Sequence, residues 1–115
     1  MPIPQQIHVL IERLNQELNQ IEQEATEGLN LTRNQLQRYP DRSALIQIFA
    51  RFGNYLVFVE VSRRRIEYSQ VILGSEVVTD EQIQEAGEML SELLGRILEA
   101  KIVVSSIKTR LEDWP

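Results

Sequence analysis

The chain has 115 residues, of which 43% are apolar, a formal net charge of −5 and no cysteine. This length fits one ordinary domain that buries a core without disulfide or metal staples, and the apolar content excludes wholesale disorder. The negative charge argues against bulk attraction to nucleic acid or to anionic membranes, and the lack of cysteine excludes thiol chemistry and zinc ribbons. We therefore expect a single domain over residues 1–115 that needs no cofactor.

The first predicted element is a helix over residues 5–39. Pro4 suits a helix start, because the amide that proline lacks has no partner there. The apolar positions recur in steps of four and three, which places them on one helical stripe: Ile7, Ile11, Leu14, Leu18, Ile21, Ala25 and Gly28. Near Gly28 the stripe drifts towards Leu29 and Leu36, so we expect a bend or a short break there.

The second and third elements repeat this rhythm over residues 42–73 and 80–112. Pro40 separates the first two elements, and Asp41 or Ser43 is expected to cap the second. Gly74 is expected to end the second helix, and Thr79 with Gln82 is expected to form a capping box for the third helix. Equal lengths and short turns predict an all-α fold, an antiparallel up-down-up bundle of three long helices.

A strand hairpin is the competing interpretation of residues 55–78. The stretch from Tyr55 to Val61 is rich in β-branched and aromatic residues, and residues 71–78 offer a partner strand. We favour the helix, because the four-three rhythm crosses this stretch without a break in phase.

No pattern typical of a catalytic or metal site occurs in the sequence. The only histidine, His8, has no ligand-type partner except Glu12 at helical spacing, and this pair is typical of a surface contact. A cluster of carboxylates on the third helix lacks the Glu-x-x-His motif of di-metal bundles and fits a solvated face. Its members are Glu81, Glu85, Glu88, Glu92 and Glu99. We predict that the protein is not an enzyme.

The only basic run is Arg63, Arg64 and Arg65. In a hairpin about the 74–79 turn these arginines lie opposite residues 88–92, so we predict ion pairs within the bundle. Nucleic-acid binding through this run is the alternative, and the acidic remainder of the chain makes it the weaker one.

Residues 44–61 are apolar nearly all the way round the second helix. Arg51, Asn54 and Glu60 interrupt the run, so we do not expect a membrane span. Two neighbours in a bundle cannot cover a helix that is apolar on every face, so we predict an interface with a second chain. The candidate interface residues on this helix are Ile46, Phe49, Phe52, Tyr55, Val57 and Phe58.

Gly87, Ser91 and Gly95 recur every four residues on the third helix. Glycine inside a helix costs about 1 kcal/mol relative to alanine, so we interpret this ridge as a place where another helix approaches closely. Incidental glycine on a solvated face is the alternative.

These patterns indicate a non-enzymatic interaction protein, such as an adaptor, an assembly factor or a structural subunit. We expect it to act as a helical homo-oligomer, most simply a dimer, with a protein partner and without a membrane. The start of the chain lacks a basic region followed by an apolar run, so a cytoplasmic location is expected. Besides a nucleic-acid regulator, the remaining alternative is a bundle that holds an apolar ligand among Phe49, Phe52, Tyr55 and Phe58.

Overall fold

The computed structural model describes residues 3–113, and 88% of these residues are helical. They form three helices, packed against one another as an all-α bundle: α1 (Gln5–Arg38), α2 (Ser43–Leu73) and α3 (Asp80–Glu112). The prediction of three long helices is confirmed. The hairpin interpretation is wrong, because α2 continues unbroken through Tyr55 and Val61.

The ends of the helices follow the predicted signals at two of three points. Thr79 Oγ1 accepts a hydrogen bond of 3.1 Å from the backbone N–H of Gln82, and the Thr79 N–H donates one of 2.9 Å to Gln82 Oε1. This reciprocal pair is the predicted capping box. Gly74 follows α2 and donates its N–H to the Gln70 carbonyl at 2.9 Å. The predicted cap of α2 is wrong, since Arg42 occupies that position and no side chain caps the helix.

Each helix buries a stripe of side chains with the heptad spacing of a coiled coil. A strict seven-residue repeat keeps one seam of a helix facing its neighbours along the whole length of the helix. On α1 the stripe is the predicted one, extended by Thr32. On α2 it is dominated by every seventh residue: Leu45, Phe52, Val59, Ile66 and Leu73. On α3 it comprises Leu90, Leu93, Ile97, Ala100, Val104, Ile107 and Leu111.

Gly28 of α1 lies directly against the aromatic ring of Phe52 of α2. A Cβ atom built on Gly28 falls 2.6 Å from Cε1 and 2.7 Å from Cε2 of Phe52, with Cζ nearer still. The aromatic ring therefore occupies the space that any larger residue at position 28 needs. The predicted break is wrong: α1 is one continuous helix, and Thr32 Oγ1 bonds the Gly28 carbonyl at 2.7 Å. The glycine serves the packing of Phe52.

Polar contacts join α1 to both other helices. Lys101 Nζ lies 2.9 Å from Glu17 Oε2, and Lys108 pairs with Glu27 further along α3. α1 packs extensively against α2 and α3, whereas α2 and α3 contact each other less. The side of the bundle away from α1 is consequently the more open one.

Candidate protein-protein interface

The outward side of α2 exposes large apolar side chains that its neighbours do not cover. Val57 is 61% exposed, Tyr68 69% and Val71 74%. Together with Val61 they recur at steps of four, seven and three, so they follow a second heptad-spaced stripe on the back of the helix. Soluble monomers rarely expose contiguous apolar patches, and such patches mark interaction sites. This stripe is the strongest candidate for an interface.

The predicted interface residues of α2 lie in three different environments. Ile46 and Val57 are exposed and available to a partner. Three aromatic residues are half-buried at the edges of the helix contacts: Phe49, Tyr55 and Phe58. Phe52 is fully buried against Gly28, so its assignment to the interface is corrected: it is a core residue. The sequence pattern could not separate it, because apolar residues surround the helix at this point.

The small-residue ridge of α3 is divided between a groove and open surface. Gly87 is half-buried, and a Cβ built on it lies 4.0 Å from Ile7 Cδ1 of α1. Ser91 and Gly95 are exposed, and a Cβ on Gly95 meets nothing within 4 Å. Within the described residues no helix packs on Gly95, so close approach of another helix there stays a prediction.

Two grooves run along the line where α2 meets α3. The first has a volume of about 310 Å³, and its lining includes Phe58 of α2 and Val103 of α3. The second, of about 220 Å³, lies nearer the 74–79 turn, between Ile72 and Met89. Of these four residues, sequence reasoning named Phe58 and missed Ile72, Met89 and Val103. The signal that could have found them is the second heptad repeat, which a search for one buried face overlooks.

The arginine run forms an ion pair within the bundle, as predicted, but not with the predicted partners. Arg63 pairs with Glu22 and donates a hydrogen bond of 2.8 Å to Asn19 Oδ1, so it joins α2 to α1. Arg64 lies 4.0 Å from Glu60 on its own helix, with both side chains largely exposed. Arg65 is exposed and forms no ion pair within residues 3–113. The predicted pairing with residues 88–92 of the same chain is wrong, because Arg63 projects towards α1.

Hydrogen bonding shifts the pKa values of one pair that joins α1 and α3. The hydrogen bonds from Lys108 and Gln23 lower the pKa of Glu27 below that of an ordinary glutamate. The same contact with Glu27 raises the pKa of Lys108. Both pKa shifts favour the charged forms of the two side chains, so this ion pair links α1 to α3 in the folded protein.

The titratable residues singled out in the sequence lie apart on the surface. His8 is exposed near the start of α1, and the five glutamates predicted to form a solvated face on α3 are exposed. Within residues 3–113 no group of three or more histidine or carboxylate side chains is placed to hold a metal ion.

By length and composition α2 passes the test for a membrane-crossing helix. Its most apolar window of 18 residues has a mean hydropathy of 1.4, and 17% of that window is buried. One such helix does not by itself define a membrane protein.

No protein-family model, curated protein or solved structure matches this chain. The proposals below therefore depend on its own residues.

Proposed function

We propose that this chain is a non-enzymatic protein-protein interaction protein, an adaptor, assembly factor or structural subunit, that acts in the cytoplasm as a helical homo-oligomer. A dimer is the simplest form. The observation that carries the proposal is the exposed apolar stripe on α2, with Val57, Tyr68 and Val71 each more than 60% exposed. Burying one such side chain contributes about 1.5–3 kcal/mol, so a few of them offset the cost of association.

We infer that the helices run up, down and up. The inter-helix pairs support this order: Arg63 of α2 contacts Glu22 while Phe52, earlier in α2, contacts Gly28, later in α1. Along α3 the order is the reverse, since Lys101 pairs with Glu17 and the later Lys108 with the later Glu27. In this arrangement α2 is antiparallel to both other helices.

Two observations favour a protein partner over the alternatives. Arg63 is engaged by Glu22 and Asn19, which leaves two exposed arginines in this basic run. In a chain of net charge −5 they are a poor match to a phosphate backbone. Phe52 is enclosed by the core, and the grooves beside α2 are open to solvent rather than closed around a ligand.

The test is the mass of the purified chain in sedimentation at micromolar concentration. We expect two chains or more for the unchanged protein, and a shift to one chain for Val57→Glu and Tyr68→Glu. Val9→Glu is the matched control, because Val9 is 55% exposed on α1, away from α2. Circular dichroism at the same concentration checks that each variant is folded. A folded monomer of the unchanged protein contradicts the homo-oligomer.

A further inference from the structure

Two rows of side chains border the open line between α2 and α3, and together we call them the seam face. The α2 row has heptad spacing and consists of Phe58, Val61, Arg65, Tyr68 and Ile72. The α3 row consists of Glu85, Met89, Glu92, Arg96, Glu99 and Val103. The two grooves show that these rows share one side of the bundle, since each groove is lined by members of both.

The two rows differ in charge. Arg65 is the one charged residue of the α2 row, whereas the α3 row has three glutamates against Arg96. The whole helices differ in the same sense: α2 has four arginines and two glutamates, and α3 has seven acidic and four basic residues. Two seam faces stacked with α2 on α2 and α3 on α3 therefore bring like charges together, which costs affinity.

Symmetry leaves one simple arrangement that avoids this repulsion. Two identical faces pack about a two-fold axis that lies in the plane between them. If the axis is perpendicular to the helices, α2 of one copy packs on α2 of the other. If the axis is parallel to the helices, α2 of each copy packs on α3 of the other. The parallel axis also leaves each residue at the same level along the bundle in both copies.

The grooves indicate which parts of the two rows lie at the same level along the bundle. Phe58 and Glu99 line one groove, and Tyr68 and Met89 line the other. Between these two levels Arg65 and Glu92 correspond, each close to the middle of its row. Arg65 forms no ion pair within the described residues, and Glu92 contacts Arg96 on the exposed surface of its own helix at 3.0 Å.

We propose that a second copy of this chain docks on the seam face about a two-fold axis parallel to the bundle, with Arg65 of each copy paired to Glu92 of the other. The apolar members of the rows, such as Tyr68 against Met89, form the buried centre of this contact. The inference rests on the proposed homo-oligomer and adds its face, its orientation and its charge pairing.

The test mixes two charge-reversed variants, Arg65→Glu and Glu92→Arg. Alone, each variant sets like charges against each other at both symmetric contacts, and we expect its dimer to weaken at least about tenfold. Mixed, the two variants form a heterodimer in which both contacts pair opposite charges, so the mixture regains the affinity of the unchanged protein. Sedimentation of each variant and of the equimolar mixture measures this.

Matched controls lie off both the seam face and the exposed stripe of α2. Arg13→Glu on α1 and Glu88→Arg on α3 make the same charge changes, and both residues are exposed. We expect them to leave the dimer unchanged. If the affinity of the dimer is restored only when both charge reversals are made in one chain, and not when the two variants are mixed, Arg65 and Glu92 contact each other within one chain. That result overturns the proposal.

The remaining outcomes separate this inference from the proposed function. A dimer insensitive to both reversals overturns the seam-face arrangement and leaves the homo-oligomer standing. A folded monomer of the unchanged chain removes both. If the chain is a monomer that co-floats with vesicles of phosphatidylcholine and phosphatidylserine, the seam face binds a lipid surface. That result overturns the proposal as well.

Discussion

Replacement of Gly28 by alanine tests the packing of α1 against α2. In an open helix interior this change stabilises by about 1 kcal/mol, because alanine loses less backbone entropy on folding. At position 28 the new Cβ falls 2.6–2.7 Å from two ring carbons of Phe52 and closer still to a third. Ordinary contacts of this kind are 3.4–4 Å long, so the ring must retreat by close to an ångström.

Phe52 cannot make that retreat freely, because its side chain is fully buried in the centre of the bundle. Overpacking a dense core costs about 1–3 kcal/mol, which equals or exceeds the gain in helix propensity. We expect a net destabilisation of up to about 2 kcal/mol, equivalent to a fall in Tm of up to roughly 8 °C. Gly53→Ala is the matched control: nothing lies within 4 Å of its Cβ, so it stabilises the protein.

Urea unfolding followed by circular dichroism measures both changes at one protein concentration. Phe52→Leu in the Gly28→Ala background isolates the steric term, because it shortens the side chain that the new methyl group strikes. We expect a coupling energy of about 0.5–3 kcal/mol in this double-mutant cycle. If Gly28→Ala stabilises the protein as much as Gly53→Ala does, the proposed contact with Phe52 is wrong.

Two further predictions concern the ion pairs that join the helices. Arg63→Gln should lower the free energy of unfolding by up to about 1 kcal/mol, because Arg63 links α2 to α1. Arg64→Gln should leave the free energy of unfolding nearly unchanged. Equal effects of the two changes in urea unfolding would contradict this assignment. Because the pKa of Glu27 is lowered in the folded protein, its stabilising effect is present above the ordinary glutamate pKa and is lost as the pH falls below about 4. The pKa of Lys108 is raised, so its contribution is lost only as the pH rises past the ordinary lysine value of about 10.4. Glu27→Gln should weaken the dependence of the free energy of unfolding on pH in the acid range. An unchanged pH dependence would show that the Glu27–Lys108 pair contributes nothing.

The local signals in the sequence predicted the elements because each of them acts within one helix. The steps of four and three define the buried stripe of α1, and the Thr79–Gln82 capping box depends on residues three apart. These features need no knowledge of the neighbours. The cap of α2 was predicted wrongly since Asp41 and Ser43 both have suitable side chains, and the turn places Arg42 at the cap instead.

Contacts between helices could not be read from the sequence in the same way. Arg63 was expected to face α3, the next helix along the chain, but it pairs with Glu22 of α1. The choice depends on which of two neighbours lies on which side of α2, a property of the whole bundle. For the same reason Phe52 could not be separated from Val57, since both belong to an apolar run and only the packing buries one of them.

The two heptad repeats of α2 connect its fold to its proposed role. Every seventh residue from Leu45 to Leu73 is buried, and this repeat packs the helix into the bundle. The residues on the opposite side are not needed for that packing, yet Val57, Tyr68 and Val71 are apolar and far more exposed than the core requires. Lysine or glutamate at these three positions would keep the fold and improve solubility. The packing of the single chain therefore does not explain their apolar character, and the proposed protein-protein interface offers a reason for it.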